Sequence, residues 1–230
     1  MTYVLAALGL ATLLAYWLFQ ISEGSYLGER AVRALYDWGA LRYDQVKEVL
    51  PQEDALRLAR PLLARLQGRS APLVLDVATG TGRLPLALLR QWDFAGRVIG
   101  IDFSPRMLCV ARSKMKAQPQ RTGLIHGNAL SLCFRDAAFD AVTCLEALEL
   151  VATLDEAVKE IVRVLKPGGE LLVSNRVGLP ARLLPGRTHR PRAFEQRLGE
   201  LGLMQVQTRR WQRDYDLVAA RKPALEERSP

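Results

Sequence analysis

Pro72-Leu-Val-Leu-Asp-Val-Ala-Thr-Gly-Thr-Gly-Arg83 is a short apolar run that ends in an acidic residue and a glycine-rich turn. Val74, Leu75 and Val77 fit a strand covered on both faces of a parallel sheet. Gly80 and Gly82 carry no Cβ, so the backbone there can bend sharply and lie against a ligand. Leu84, Leu86, Ala87, Leu88 and Leu89 then read as a helix whose first N–H groups face the same ligand. Strand, glycine turn and helix together suit a nucleotide-like cofactor. The dinucleotide fingerprint requires a third glycine three residues after the second, and Pro85 stands there instead. No Gly-Lys-Ser/Thr follows, which excludes the phosphate-binding loop. Asp76, four residues before Gly80, lies within reach of a cationic or hydroxyl-bearing ligand.

Outward from this turn, the chain alternates strand and helix signals. Strands are expected at Leu73–Val77, Arg97–Ile101, Gly123–His126, Ala141–Cys144, Glu170–Ser174, Met204–Arg210 and Asp216–Ala220. Helices are expected at Leu84–Gln91, Pro105–Lys116, Leu154–Leu165 and Pro191–Leu201. Such alternation implies an α/β fold, a mostly parallel sheet wound on both faces. The last two strands are joined by Trp211-Gln-Arg-Asp-Tyr215, too short for a crossover helix, so they form a hairpin with an antiparallel edge. Before the sheet, Tyr26–Leu50 and Asp54–Leu66 read as helices. Tyr36-Asp37 and Tyr43-Asp44, seven residues apart, are expected close to one face of the first. The Arg-, Gly- and Pro-rich loop 178–191 is a candidate cover for the active edge.

From Tyr3 to Ile21 no residue is charged, a run close to the roughly 20 residues that cross a bilayer. Tyr16, Trp17 and Phe19 sit near one end, where aromatic belts form. No basic segment precedes it and no small-residue cleavage site follows, so an uncleaved anchor is favoured over a signal peptide. An amphipathic helix would show a polar stripe that is missing here. Arg30, Arg33, Arg42 and Lys47 follow the span, which places the globular part in the cytoplasm by the positive-inside tendency. Cys109, Cys133 and Cys144 form no C-x-x-C pair and read as reduced core residues. The organisation expected is an anchor over 1–22, a helical lead-in and cap over 23–70, a catalytic domain over 71–222 and a tail over 223–230.

The net charge of +8 is concentrated late in the chain: residues 176–222 hold eleven Lys/Arg against four Asp/Glu. Anionic lipid is one partner for such a region, and a scattered solvated face is the plainer reading. No aromatic-interleaved basic motif accompanies the charge, so no nucleic acid is expected. Nothing in the spacing of His, Cys and acidic residues asks for a metal.

Ligands of doubly wound sheets lie beyond the carboxyl ends of the strands. Asp102 closes the second strand, 22 residues after Gly80, where a carboxylate can accept from both hydroxyls of a ribose. Ser104-Pro105 then begins a helix with a cap and a first-turn proline. Asn128, in His126-Gly-Asn-Ala129, can pair with a nucleobase edge. With Phe139-Asp-Ala-Val142 and Glu160-Ile-Val-Arg-Val-Leu-Lys-Pro-Gly-Gly169, the chain resembles the class I S-adenosylmethionine-dependent methyltransferases from Leu73 to about Lys222.

The resemblance implies a Rossmann-like methyltransferase fold with S-adenosylmethionine as cofactor. Asp76, Ala78, Thr79, Gly80 and Gly82 would hold its methionine part, with Asp76 near the amino group. Asp102 would take the ribose, Phe103 would pack on the adenine, Asn128 and Ala129 would read its edge, and Leu145 would close over the sulfonium. Ala78 stands where the family has glycine. Asp76–Gly82, Gly127–Ala129 and the paired Tyr-Asp look like the quinone C-methyltransferases, although Arg83 stands where these usually carry Asp. Cys144–Val151 matches the broader type 11 group, with Leu150 replacing a frequent His.

The implied reaction is methyl transfer to a small, lipophilic acceptor, quinone- or lipid-like, at the cytoplasmic membrane face. The alternatives are a soluble acceptor or a cofactor-binding module without catalysis. A protein base is required only if the acceptor is not already ionised, and Glu146, Tyr43 and His189 are the candidates, with Glu149 beside them. His126 ends a strand and is expected in the core.

Overall fold

The computed structural model describes residues 2–224; of the tail expected at 223–230, residues 225–230 lie outside the described residues. The apolar start forms α1 (Thr2–Tyr16) and a π-helical turn, Trp17–Ile21. Together Thr2–Ile21 make one helix with a mean hydropathy of 1.9, long and apolar enough to cross a membrane and with none of that window buried in protein. The chain turns at Gly24, with φ +75°, into α2 (Glu29–Gly39) and α3 (Tyr43–Val46). Then α4 (Pro51–Asp54), a π turn at Ala55–Ala59 and α5 (Arg60–Arg65) run on as nearly continuous helix into the sheet.

The sheet contains β1 (Leu73–Val77), β2 (Arg97–Asp102), β3 (Thr122–His126), β4 (Phe139–Cys144), β5 (Leu165–Arg176), β6 (Met204–Gln212) and β7 (Tyr215–Arg221). Its order is β3-β2-β1-β4-β5-β7-β6, parallel from β3 to β5, with β7 antiparallel to both of its neighbours. Connecting helices are α6 (Arg83–Leu89), α7 (Pro105–Met115), α8 (Leu154–Val164), α9 (Gly178–Arg182) and α10 (Pro191–Glu200).

Successive strand residues point to opposite faces, and the core divides accordingly. Val74, Val98, Ala141 and Leu172 join Leu58, Leu62, Leu84, Leu88 and Met115 on one side. Leu75, Ile101, Val142 and Leu171 join Val158, Ile161, Phe194 and Leu198 on the other. This two-sided burial is why β1 and β4 read as continuous apolar runs rather than alternating ones. At Gly82, with φ +81°, a Cβ would come within 3.0 Å of the Met115 methyl and 3.3 Å of Ala111 Cβ. The glycine therefore lets α7 pack close to the start of α6.

The structure corrects several expectations. β3 is the edge strand, so His126 is exposed rather than core; its Nε2 lies 3.0 Å from the Phe103 carbonyl. Only Cys144 is buried, while Cys109 and Cys133 are exposed. α2 stops at Gly39, so Tyr36 and Tyr43 belong to different helices, although their rings approach to 5.9 Å. Lys166–Gly169 is an irregularity within β5 rather than a separate turn: pairing jumps from Phe139↔Leu165 to Ala141↔Glu170, and Gly168 takes φ +72°. Part of the late basic segment is spent within the fold, while Arg182, Arg190, Arg192 and Arg213 stay exposed. Arg176 is buried, Arg187 donates to the Val151 and Ser25 carbonyls, Arg197 pairs with Asp155 and Glu200, and Lys222 donates to the Val162 and Leu165 carbonyls.

Candidate active site

From β1 the chain winds outward to β2 and β3; it later returns to place β4 on the other side of β1. That reversal opens a crevice beyond the carboxyl ends of β1 and β4. There lies a narrow cavity of about 70 Å³, lined by Ala78, Gly80, Ile101, Asp102, Phe103, Gly127, Asn128, Ala129, Leu145 and Glu146 from the sheet side.

Ala78 (φ +54°) and Gly80 (φ +54°) both take the left-handed conformation, and a Cβ on Gly80 would meet nothing within 4 Å. The turn thus leaves bare backbone facing open space. Asp102 is 5% exposed; its Oδ2 accepts from Gly80 N at 2.7 Å and its Oδ1 from Ser104 N at 2.8 Å. Burial pushes its carboxyl up to about 6, despite those two bonds. Each oxygen keeps a free lone pair, since a carboxylate accepts at about four sites. A glycine cradle beside a buried, acceptor-only carboxylate fits a hydroxyl-bearing cofactor such as S-adenosylmethionine.

Other expected residues lie elsewhere. Asp76, Thr79 and Gly82 do not line the cavity. The Asp76 carboxylate, 3% exposed, accepts from Thr79 Oγ1 at 2.7 Å and Thr143 Oγ1 at 2.6 Å, and burial raises it to about 6. It braces the turn from within the sheet. Thr79 also fills space over β2: a Cβ on Gly100 would strike its side chain at 2.7 Å. The Asn128 amide is committed locally, accepting from Leu130 N at 2.9 Å and donating to Glu29 Oε1 at 3.1 Å. His189 sits in the 178–191 loop, 3.7 Å from Asp155 and stacked on Phe194, away from the cavity.

Sequence reasoning expected a helical cap and named Tyr43, but did not bring Glu29 or Val32 to the site. Glu29, Val32, Tyr36 and Tyr43, from α2 and α3, complete the lining. The signal available was the apolar periodicity of this region, which marks a buried face without naming what it covers. α2 is tied down where Asp37 Oδ1 accepts from Ser104 Oγ at 2.6 Å, next to Asp102.

A second, larger cavity of about 550 Å³ lies on the other side of the same helical cap. It is lined by Phe19 and Gln20 at the end of the apolar helix, by Leu35, Trp38 and Val46, and by Lys47, Met107, Arg176, Gln212 and Tyr215. Tyr36, Tyr43 and Glu146 line both cavities. Glu146 is a non-glycine residue at φ +52°. Its Oε1 accepts from Arg83 Nη1 at 2.7 Å and Gln212 Nε2 at 2.9 Å, and its Oε2 lies 3.4 Å from Lys47 Nζ. Burial pushes the Tyr43 phenol well above its ordinary range, which favours its protonated form. Glu149 is buried too, accepts from the Tyr215 hydroxyl, and does not line either cavity.

Comparison with known proteins agrees with this geometry. Residues 74–169 match the family described as methyltransferase domain. Demethylmenaquinone methyltransferase of Symbiobacterium thermophilum is 39% identical over 146 residues, 63% of this chain and 58% of that protein. Its counterpart from Thermus thermophilus is 38% identical over 134 residues, 58% of this chain and 60% of that one. The chain thus spans under two thirds of the length of these relatives. Among solved structures, a SAM-dependent methyltransferase from Aquifex aeolicus superposes with a TM-score of 0.61 at 20% identity, covering 76% of this chain and 95% of its own. The [4+2]-cyclase SpnF superposes with the same TM-score at 23% identity, over 73% of this chain and 80% of that one.

Proposed function

We propose, for a chain that belongs to the class I S-adenosylmethionine-dependent methyltransferases, that it methylates a quinone-like, lipophilic acceptor at the cytoplasmic membrane face. One observation carries this reading: the two cavities share Tyr36, Tyr43 and Glu146, and the outer one is walled by Phe19 and Gln20 where the apolar helix ends. A lipid-borne substrate leaving the bilayer along that helix would meet the outer cavity first. The names of the relatives, demethylmenaquinone methyltransferases, support the quinone class. Arg30, Arg33, Arg42 and Lys47 after the span favour the cytoplasmic side.

In this reading the inner cavity holds the cofactor, which when bound supplies an electrophilic methyl group on a sulfonium. Ala78 and Gly80 bring backbone against its methionine part, and Asp102 accepts its ribose hydroxyls. Phe103, Asn128 and Ala129 surround the adenine, and Leu145 covers the reacting end. Asp76 and Thr79 hold the turn in shape rather than touching the ligand. The protein's main contribution is to align two reactants across the shared wall. Tyr43, protonated and at that wall, donates to an acceptor oxygen. Tyr43→Phe is expected to lower kcat about tenfold, one lost hydrogen bond, while cofactor affinity stays put. Steady-state kinetics with calorimetric cofactor binding checks this.

A pH dependence follows from the two raised carboxyls. Asp102 must be ionised to accept two hydroxyls, so cofactor affinity is expected to fall as pH drops below about 6. Stability runs the other way. Asp76 and Asp102 have folded values near 6 against an ordinary 3.8, so the folded state holds extra protons between those limits. Their contribution is complete below about 3.8 and is lost as pH rises through about 6. Calorimetric titrations and thermal melts across this window test both signs.

The function itself is tested by incubating the purified full chain with methyl-labelled cofactor and a host lipid extract, then identifying labelled lipid. A labelled quinone-type product is expected. The reading fails if the chain fractionates as soluble, or if water-soluble acceptors are methylated equally well after removal of Tyr3–Ile21.

A further inference from the structure

Arg176 closes β5 beside the outer cavity, only 8% exposed, and its Nε and Nη1 are buried without a hydrogen-bond partner. Partly buried guanidinium groups elsewhere in the domain spend their donors. Arg83 places three of its nitrogens on Asp54 and Glu146, and Arg163 bonds Glu160, Asp136 and two carbonyls. The carboxylates nearest Arg176 are turned to other donors. Glu149 accepts from Tyr215, and Glu23 accepts from Tyr36 Oη at 2.5 Å. Their oxygens lie 3.6 and 3.9 Å from Arg176 Nη1, close enough to attract and too far to bond. Glu149, Glu23 and the Tyr215 ring, 5.8 Å away, offset part of the charge. The unmet donors still cost desolvation, and a polar group left so beside a cavity invites an acceptor from outside the chain.

We infer that Arg176 is the receptor for an ionised oxygen of the methyl acceptor, so that the outer cavity takes a phenolate- or enolate-type ring compound rather than a neutral one. The inference rests on the methyl-transfer reading above and deepens it. Lys47 adds a second cation to the same cavity, 3.4 Å from Glu146 and 3.6 Å from Glu23. Leu35, Trp38 and Met107 give the apolar walls that a flat ring needs. A guanidinium facing a ring hydroxyl favours its ionised form. The ionised oxygen in turn makes the ring, or the oxygen itself, a better nucleophile. That removes the need for a protein base, and none of the three candidates at the outset is a free carboxylate or imidazole at the shared wall.

The test uses the full chain in detergent with two coloured probes, 2-hydroxy-1,4-naphthoquinone, which ionises at neutral pH, and 2-methoxy-1,4-naphthoquinone, which cannot. Wild type is expected to bind the hydroxy probe about tenfold more tightly or better. Arg176→Gln should bring the two probes to parity while leaving the methoxy affinity and cofactor binding unchanged. Arg176→Lys, a point charge without the planar fork, should retain part of the preference and covers the case in which the glutamine variant does not fold. Equal affinities in wild type, a preference that survives Arg176→Gln, or a Lys variant with the full preference of wild type would overturn the inference. Labelled-methyl turnover is scored separately: a preference intact without methylated product supports the oxyanion site and overturns the enzymatic reading alone.

Discussion

Replacement of Asp102 by Ala is expected to lower S-adenosylmethionine affinity by about 100-fold or more, with the fold intact. Two losses add at one position. In the proposed reading the carboxylate accepts both ribose hydroxyls, and it also accepts Gly80 N at 2.7 Å, fixing the bare turn against the cavity. Without it the turn loses its anchor and Ser104 N loses an acceptor at the head of α7. Folding should suffer far less, because the wild-type carboxyl is itself unfavourably buried, as its rise to about 6 records. Asp102→Asn, equal in shape but acceptor at only one oxygen, is expected between the two. Calorimetry at pH 7.5 on matched preparations, with melts beside it, separates binding from folding. Affinity retained in the Ala variant would move the cofactor out of this cavity.

The strand ends were readable because their chemistry is local. A run such as Leu73–Val77 has to be a buried strand, Gly80 has to be a turn, and Asp102 must then face whatever the turn faces. What escaped the sequence depends on partners far along the chain. Glu29 meets Asn128 across 99 residues, and Asp37 meets Ser104 across 67, so no window of sequence shows that α2 roofs the site. The surroundings of Asp76 escape a local reading for a related reason. Its position in β1 says that it is near the turn, but its bond to Thr143 depends on β4, a strand that pairs with β1 only after β2 and β3 have been laid down. His126 looked like core because its strand is apolar. Only the strand order reveals that β3 has no outer neighbour.

Arg83→Ala is expected to destabilise the domain by about 3–5 kcal/mol, the usual cost of stranding a buried charge. Arg83 binds Asp54 through Nε and Nη2 at 2.7–2.9 Å and Glu146 through Nη1 at 2.7 Å, and lies over the Trp211 ring at 5.0 Å. Asp54 is 2% exposed and Glu146 8%, so removal of the guanidinium leaves two carboxylates without most of their compensation. Glu146 retains Lys47 and Gln212, whereas among the described residues Asp54 has no second cation. The double variant Arg83→Met with Asp54→Leu should therefore recover most of the loss, since apolar residues of similar size often replace a buried pair without penalty. A non-additive double-mutant cycle by denaturant unfolding is the measurement, and a single-variant loss under about 1 kcal/mol would dismiss the network. Arg83→Asp, which installs the residue usual in the quinone C-methyltransferases that this chain resembles, should be the worst of the series. It would gather three acidic groups around Asp54 and Glu146, in a site that this chain has rebuilt for a cation. The same substitution would release Glu146 at the wall between the cavities, so catalytic loss should exceed what the melting temperature alone accounts for.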